Sequence, residues 1–134
     1  MEDIFVARLM STTLHTVSVD TLVEDAAKLM MENGVGSVLI VDDGNQLLGI
    51  LTTTDFVQIV AERQPKDQTP VSEYMTSDVV TTTAQVPIQD VADTMMQHGF
   101  HHVPVVDDDE GVIGIISTTD LASYLSTAEA PSPS

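Results

Sequence analysis

Apolar residues along the chain fall into two kinds of run, and the runs come in the same order twice. A short β-prone stretch at 16–19 leads into a helical pattern that carries Leu22, Ala26, Leu29 and Met30 and ends at Asn33-Gly34. Thr21 and Glu24 open that helix with the spacing of a capping box, and Gly34 supplies the usual stop. Two near-continuous Val/Ile/Leu runs follow at 37–41 and 47–51, joined by an acidic, turn-prone segment. Runs without alternation imply strands covered on both faces. A second helix is expected over 53–63. The series then restarts, with a β-prone stretch at 79–83 and a helix entered at Pro87. Ile88, Val91, Ala92 and Met95 line that helix up to Gly99, strands follow at 102–106 and 112–116, and the last helix spans 118–126. Residues 64–70 read as a linker and 127–134 as a frayed tail.

The recurrence is a duplication. A shift of 65 residues aligns 6–55 with 71–120 without a gap and gives 17 identities in 50 positions, too many in one register for chance. Met10 meets Met75, Thr16 meets Thr81, and Met30-Met31 meets Met95-Met96. Val41-Asp42-Asp43 meets Val106-Asp107-Asp108, Gly49-Ile50 meets Gly114-Ile115, and Thr53-Thr54-Asp55 meets Thr118-Thr119-Asp120. Each copy is a β-α-β-β-α unit with a three-stranded sheet and helices on one face, marginal on its own. The expected fold class is α/β (α+β): two small three-stranded sheets packed with pseudo-twofold symmetry into one domain of 134 residues. Repeat 1 takes about 5–63 and repeat 2 about 71–126. The four paired methionines belong to core or interface.

Charge changes the picture. Acidic residues number 21 against four basic ones, a formal net of −17, yet 43% of the chain is apolar and patterned, so it folds rather than staying disordered. Non-specific nucleic-acid binding is excluded, because neutralising phosphates needs Lys and Arg. There is no cysteine, hence no disulfide or thiolate metal site. No apolar run approaches the roughly 20 residues of a membrane span, and Met1-Glu2-Asp3-Ile4 lacks a secretion-signal pattern. A cytoplasmic protein is expected. Its excess of Asp and scarcity of Lys resemble cytoplasmic proteins of salt-accumulating archaea, since molar salt shortens the Debye length to about 3 Å and removes most surface repulsion.

The chemistry concentrates at the end of the third strand in each copy, Gly49-Ile-Leu-Thr52-Thr-Thr-Asp55 and Gly114-Ile-Ile-Ser117-Thr-Thr-Asp120. A hydroxyl three positions before an acid is, structurally, a helix cap at the positive end of a dipole. Functionally, an ionised Asp can accept both vicinal hydroxyls of a ribose, and the Thr or Ser hydroxyl can bond a sugar or phosphate oxygen. Gly49 and Gly114 allow close approach or a sharp bend.

The succession V-x-x-x-M, Thr-containing strand, helix-Gly, V-D-D strand and G-[IV]-[IL]-[TS]-x-x-D resembles the CBS domain, and two in tandem resemble a CBS pair (Bateman module). The resemblance covers about 5–126. It implies binding of AMP, ADP, ATP or S-adenosylmethionine in two clefts between the repeats, and often a disc-shaped homodimer. Carried over residue by residue, ribose contacts fall on Thr52 and Asp55 in one cleft and Ser117 and Asp120 in the other. Base-side contacts fall near Thr16 and Thr81, and phosphate-side contacts at Gly36-Ser37 and His101-His102. Relatives that hold polyphosphates often place Arg or Lys there, which neither copy does; Arg63 is the one cation that could reach.

The expectation is therefore a stand-alone regulatory module, not an enzyme, with an adenine nucleotide or S-adenosylmethionine as ligand and no required cofactor. AMP or S-adenosylmethionine is favoured over metal-free ATP. An unidentified regulated protein completes the scheme, with no nucleic-acid or membrane partner. The alternative is a ligand-independent interaction scaffold that keeps the caps for stability. His98, His101 and His102 could be read as a metal cluster, but nothing completes a site, and His98 suits a helix C-terminus anyway. No catalytic triad, P-loop or dinucleotide fingerprint is present.

Overall fold

A computed structural model describes residues 4–128; of the tail expected at 127–134, residues 127 and 128 belong to the last helix and the rest lies outside the described residues. The chain runs α1 (Val6–Leu9), β1 (Thr16–Val17), α2 (Val23–Asn33), β2 (Ser37–Val41), β3 (Leu47–Thr52) and α3 (Thr53–Ala61). A 3₁₀ turn (Val71–Glu73) follows, then α4 (Ile88–His98), β4 (His102–Asp107), β5 (Gly111–Ser117) and α5 (Thr118–Ala128). The class is mixed α+β with two small sheets, in the orders β1-β2-β3 and β4-β5.

The compact units cut across the sequence repeats. The first is Leu14–Val79, and the second joins residues 4–13 to residues 80–128. Each repeat therefore lends its opening segment to the unit built on the other repeat's sheet. In the first unit, Thr76 exchanges both backbone bonds with Ile50 of β3, at 2.9 and 3.0 Å. In the second, Ser11 exchanges both with Ile115 of β5, at 2.8 and 3.0 Å. The glycine preceding each of these bridges is required by closeness. A Cβ on Gly49 would lie 2.7 Å from the Met75 sulfur and 2.9 Å from the Thr76 carbonyl oxygen. On Gly114 it would lie 2.7 Å from the Met10 sulfur and 3.0 Å from the Ser11 oxygen.

Helix starts follow the same exchange, and here the sequence expectation is corrected. Thr21 does not cap α2; Leu22 stands at the N-cap without a side-chain bond. The Thr21 hydroxyl turns back to Ser18 at 3.2 Å. The open N–H groups are met by linker carbonyls, Val23 donating to Thr69 at 2.9 Å and Glu24 to Lys66 at 3.3 Å. Likewise Pro87 is the N-cap of α4 rather than its first residue, and Ile88 donates to Ile4 at 2.8 Å. The expected stops hold. Gly34 and Gly99 adopt φ of 63° and 71°, and Val35 and Phe100 donate back to Met30 and Met95, a left-handed C-terminal closure.

Each unit carries its own apolar cluster. Val23, Ala26, Met30, Val38, Ile40, Leu51, Ile59 and Val71 form the first. Val6, Val91, Met95, Val103, Val105 and Ile116 form the second. On the other face of the first sheet Leu39 and Ile50 are buried too, as their unalternating strands required.

One sheet falls short of expectation. The stretch at 79–83 forms no strand and reaches β4 only through an isolated bridge between Thr82 and Val105. In the first unit Leu39 donates its N–H to His15 at 3.0 Å. The duplicate of Leu39 is Pro104, which has no N–H to give, so the ladder stops after one rung.

Candidate functional site

The strand-to-helix corners are built identically in both units. In the first, Ser37 lies opposite Thr52 in the β2–β3 register, and the Thr53 N–H donates to the Gly36 carbonyl at 3.2 Å. Four candidate residues, Gly36, Ser37, Thr52 and Asp55, thus meet at one end of the sheet. In the second, His102 lies opposite Ser117, Thr118 donates to His101 at 3.0 Å, and His101, His102, Ser117 and Asp120 meet in the same way. The five candidates of each repeat fall in one compact unit.

The acids close capping boxes. Asp55 Oδ2 accepts the Thr52 N–H at 2.8 Å and the Thr52 hydroxyl at 3.3 Å, and the Thr52 side chain accepts from the Asp55 backbone in return. Asp120 Oδ2 accepts the Ser117 N–H at 2.8 Å and hydroxyl at 3.0 Å, while the Asp120 N–H donates to Ser117 Oγ at 3.1 Å. The bonds that each acid accepts converge on its Oδ2 alone. The cap fixes the rotamer of the acid and aims its second oxygen independently of any ligand. Both acids are half-buried, so a bound hydroxyl would be drawn against a pre-oriented charge.

The flanking candidates differ between units. Ser37 is buried, whereas His102 in the same place is half-exposed. Burial holds the His102 pKa below its ordinary value, with His101 adding repulsion and Asp120 opposing both. Thr16 pairs with Leu39, which sets it two residues along the sheet from the Ser37 level, about 7 Å. Thr81 precedes the single bridging residue Thr82 and borders a cavity of about 60 Å³ with Asp90, Thr94 and Val103. Sequence reasoning passed over that cavity. Its signal was present, since Thr82 and Thr94 replace Val17 and Leu29 of the first repeat. Among the described residues no group of three or more His, Asp or Glu could hold a metal ion. His98 instead stacks on Phe100 with ring centres 5.2 Å apart.

Duplicated units with a capped hydroxyl–acid corner at each sheet end define a pair of CBS domains. The chain belongs to the CBS domain family, which it matches over 6–62 and again over 71–127. CBS domain-containing protein YhcV of Bacillus subtilis is 34% identical over 113 residues, 84% of this chain and 79% of that protein. An uncharacterized 17.7 kDa protein of Acidianus ambivalens is 33% identical over 120 residues, 90% of this chain and 72% of that protein. Among solved structures, the CBS domain pair of protein MJ0100 in complex with 5′-methylthioadenosine and S-adenosyl-L-methionine aligns with a TM-score of 0.87 at 26% identity. That alignment covers 96% of this chain and 100% of MJ0100's pair. A CBS pair is a regulatory module, not a catalytic one. Among the described residues no helix is long and apolar enough to cross a membrane.

Proposed function

We propose that this chain is a ligand-sensing regulatory module that binds an adenosyl ligand, with AMP or S-adenosylmethionine favoured over metal-free ATP. The observation that carries the reading is the capped corner present in both units, which presents an oriented carboxylate beside a strand start. Asp55 and Thr52, or Asp120 and Ser117, take the ribose; Thr16 and Thr81 lie on the base side. Gly36-Ser37 and His101-His102 lie on the side of the ligand's 5′ substituent. None of these ten residues is Lys or Arg. At a few ångström salt screens little, so each added phosphate costs more in a field set by 17 net negative charges. A neutral or cationic 5′ substituent escapes that cost. The complex of the similar MJ0100 pair supports the adenosyl class.

The regulated partner is a second protein, and the module works as a homodimer in a salt-rich cytoplasm. Support for association comes from the outward helices. Met31 and Met96 are 83% and 82% exposed, and an apolar groove of about 390 Å³ in the first unit is lined by Ala27, Met30, Met31, Val35 and Phe56. A specific observation also favours a second reading, a ligand-independent interaction scaffold: the capping bonds of both acids are complete without ligand. Calorimetry with AMP, ATP and S-adenosylmethionine in molar KCl separates the two. Binding of AMP or S-adenosylmethionine supports the sensor, and no binding by any of the three supports the scaffold.

A further inference from the structure

The two candidate sites share their caps but not their titratable groups. In the first unit the strand start is Gly36-Ser37, and Asp55 is the one ionisable side chain among the five candidates. In the second unit two imidazoles stand at that strand start. His102 opens β4 opposite Ser117, and the carbonyl of His101, the residue before the strand, accepts the Thr118 N–H at 3.0 Å. The charge of Asp120, from α5, and that of His101 both act on the His102 ring. Opposite, β5 contributes only Ser117, which is tied to Asp120 Oδ2 through both its N–H and its hydroxyl. His98, at the end of α4, is engaged with the Phe100 ring.

His102 is half-buried, and burial together with the neighbouring His101 holds its pKa below the ordinary value in the free protein. A neutral ring offsets little of a ligand's negative charge. An anion brought against the pair reverses the balance, because it stabilises the imidazolium that burial and His101 disfavour. Protonation and anion binding then assist each other, and by linkage each must raise the affinity for the other.

We infer that an anionic adenosyl ligand binds the second unit with uptake of a proton by the His101–His102 pair, so that this site, and not the first, tightens as pH falls. The inference rests on the adenosyl reading above and adds its regulation: one module, two sites, only one of them sensitive to acidity.

AMP itself is a poor probe, because its phosphate titrates near pH 6. Adenosine 5′-sulfate keeps one fixed negative charge, and adenosine serves as the neutral control. Calorimetry of the full chain in molar KCl at about pH 7.5 and about pH 6 should show one site binding the sulfate roughly tenfold tighter at the lower pH, within the limit of tenfold per pH unit for one proton. Adenosine should change less than about twofold. Repeating the titration in buffers of different ionisation enthalpy should reveal proton uptake with the sulfate alone, without recourse to a variant. The double substitution His101→Gly with His102→Ser, which copies the first unit, should abolish both the pH effect and the proton uptake that accompany sulfate binding. Adenosine binding with a pH-independent sulfate, or a pH effect that survives the double substitution, overturns the inference and leaves the proposed function standing. No binding by either probe at either pH overturns the inference, and overturns the proposed function too if AMP and S-adenosylmethionine also fail to bind.

Discussion

The first unit, 14–79, and the second, 4–13 with 80–128, are two solutions of one duplicated sequence. Where they agree, the agreement is in backbone bonds. The borrowed bridges, the helix entries at Val23 and Ile88, the glycine-closed helix ends and the capping boxes recur with bond lengths a few tenths of an ångström apart at most. Where they differ, the difference is in what lines the sheet end. Leu39 becomes Pro104 and the third strand shrinks to a bridge; Leu29 becomes Thr94 and a small cavity opens; Gly36-Ser37 becomes His101-His102. Duplication has kept the frame that holds the carboxylates and changed the groups a ligand would meet beside them.

The largest effect should treat both units alike. Eleven acids face three cations within 14–79, and ten face one in the remainder, so repulsion is shared. Lowering KCl from molar to about 0.1 M lengthens the Debye length to roughly 10 Å. The thermal midpoint should fall by on the order of 10 °C as one transition. An unchanged midpoint would rule out adaptation to salt. Loss of one unit before the other would show that their stabilities differ more than their charges do.

Next come the glycines under the borrowed segments. Gly49→Ala forces a Cβ to 2.9 Å from a backbone oxygen, and Gly114→Ala to 3.0 Å, each also striking a methionine. Overpacking of this kind costs about 1–3 kcal/mol. Urea unfolding should show Gly49→Ala the more damaging of the two. Equal stability with wild type would mean that the segments at Met10 and Met75 are not held as described.

A smaller effect, of opposite sign, is expected from restoring the first unit's residue in the second. Thr94→Leu fills the space beside Thr82 and Asp90 with the side chain that Leu29 already places in the first unit. Cavity filling yields about 0.5–2 kcal/mol. A loss of stability would show that the cavity's polar lining is satisfied and not under-packed.

The smallest effect concerns His102. Its folded pKa lies below the ordinary histidine value, so the unfolded chain takes the proton first as pH falls. The folded state thus loses stability from about pH 6.5 downward until its own pKa is passed. Relative to His102→Ser, the wild-type midpoint should drop by about a degree over that window. A wild-type gain on acidification would reverse the assignment of burial as the dominant cause.

Most of the frame was legible in the sequence because its signals are local. The strands at 37–41, 47–51, 102–106 and 112–116 read as near-continuous apolar runs, and Gly34 and Gly99 marked helix ends through a backbone conformation that glycine adopts freely. The exchange of opening segments was not legible, since nothing in Val6 to Met10 says whether it packs on its own repeat or the other. The false cap at Thr21 has the same origin: the acceptors that meet the helix start are carbonyls of Lys66 and Thr69, backbone groups without a sequence signature. The missing strand was readable, because Pro104 lies where a ladder donor is needed. For the site, the hydroxyl–acid spacing located both corners. The unequal surroundings of His102 and Ser37 depend on burial, which residue order alone does not give.

The central claim is that the capped corners bind an adenosyl ligand, and one titration tests it most directly. S-adenosylmethionine and AMP should be added to wild type, Asp55→Ala and Asp120→Ala in molar KCl, with urea unfolding of each variant as control. A hydrogen bond to a charged group contributes about 1.5–3 kcal/mol, so each substitution should weaken binding at its own unit by roughly tenfold or more. Loss of the cap alone should cost stability of about 0.5–2 kcal/mol. Variants that lose stability yet bind like wild type, or a wild type that binds neither ligand, would contradict the account and leave the two corners as helix caps.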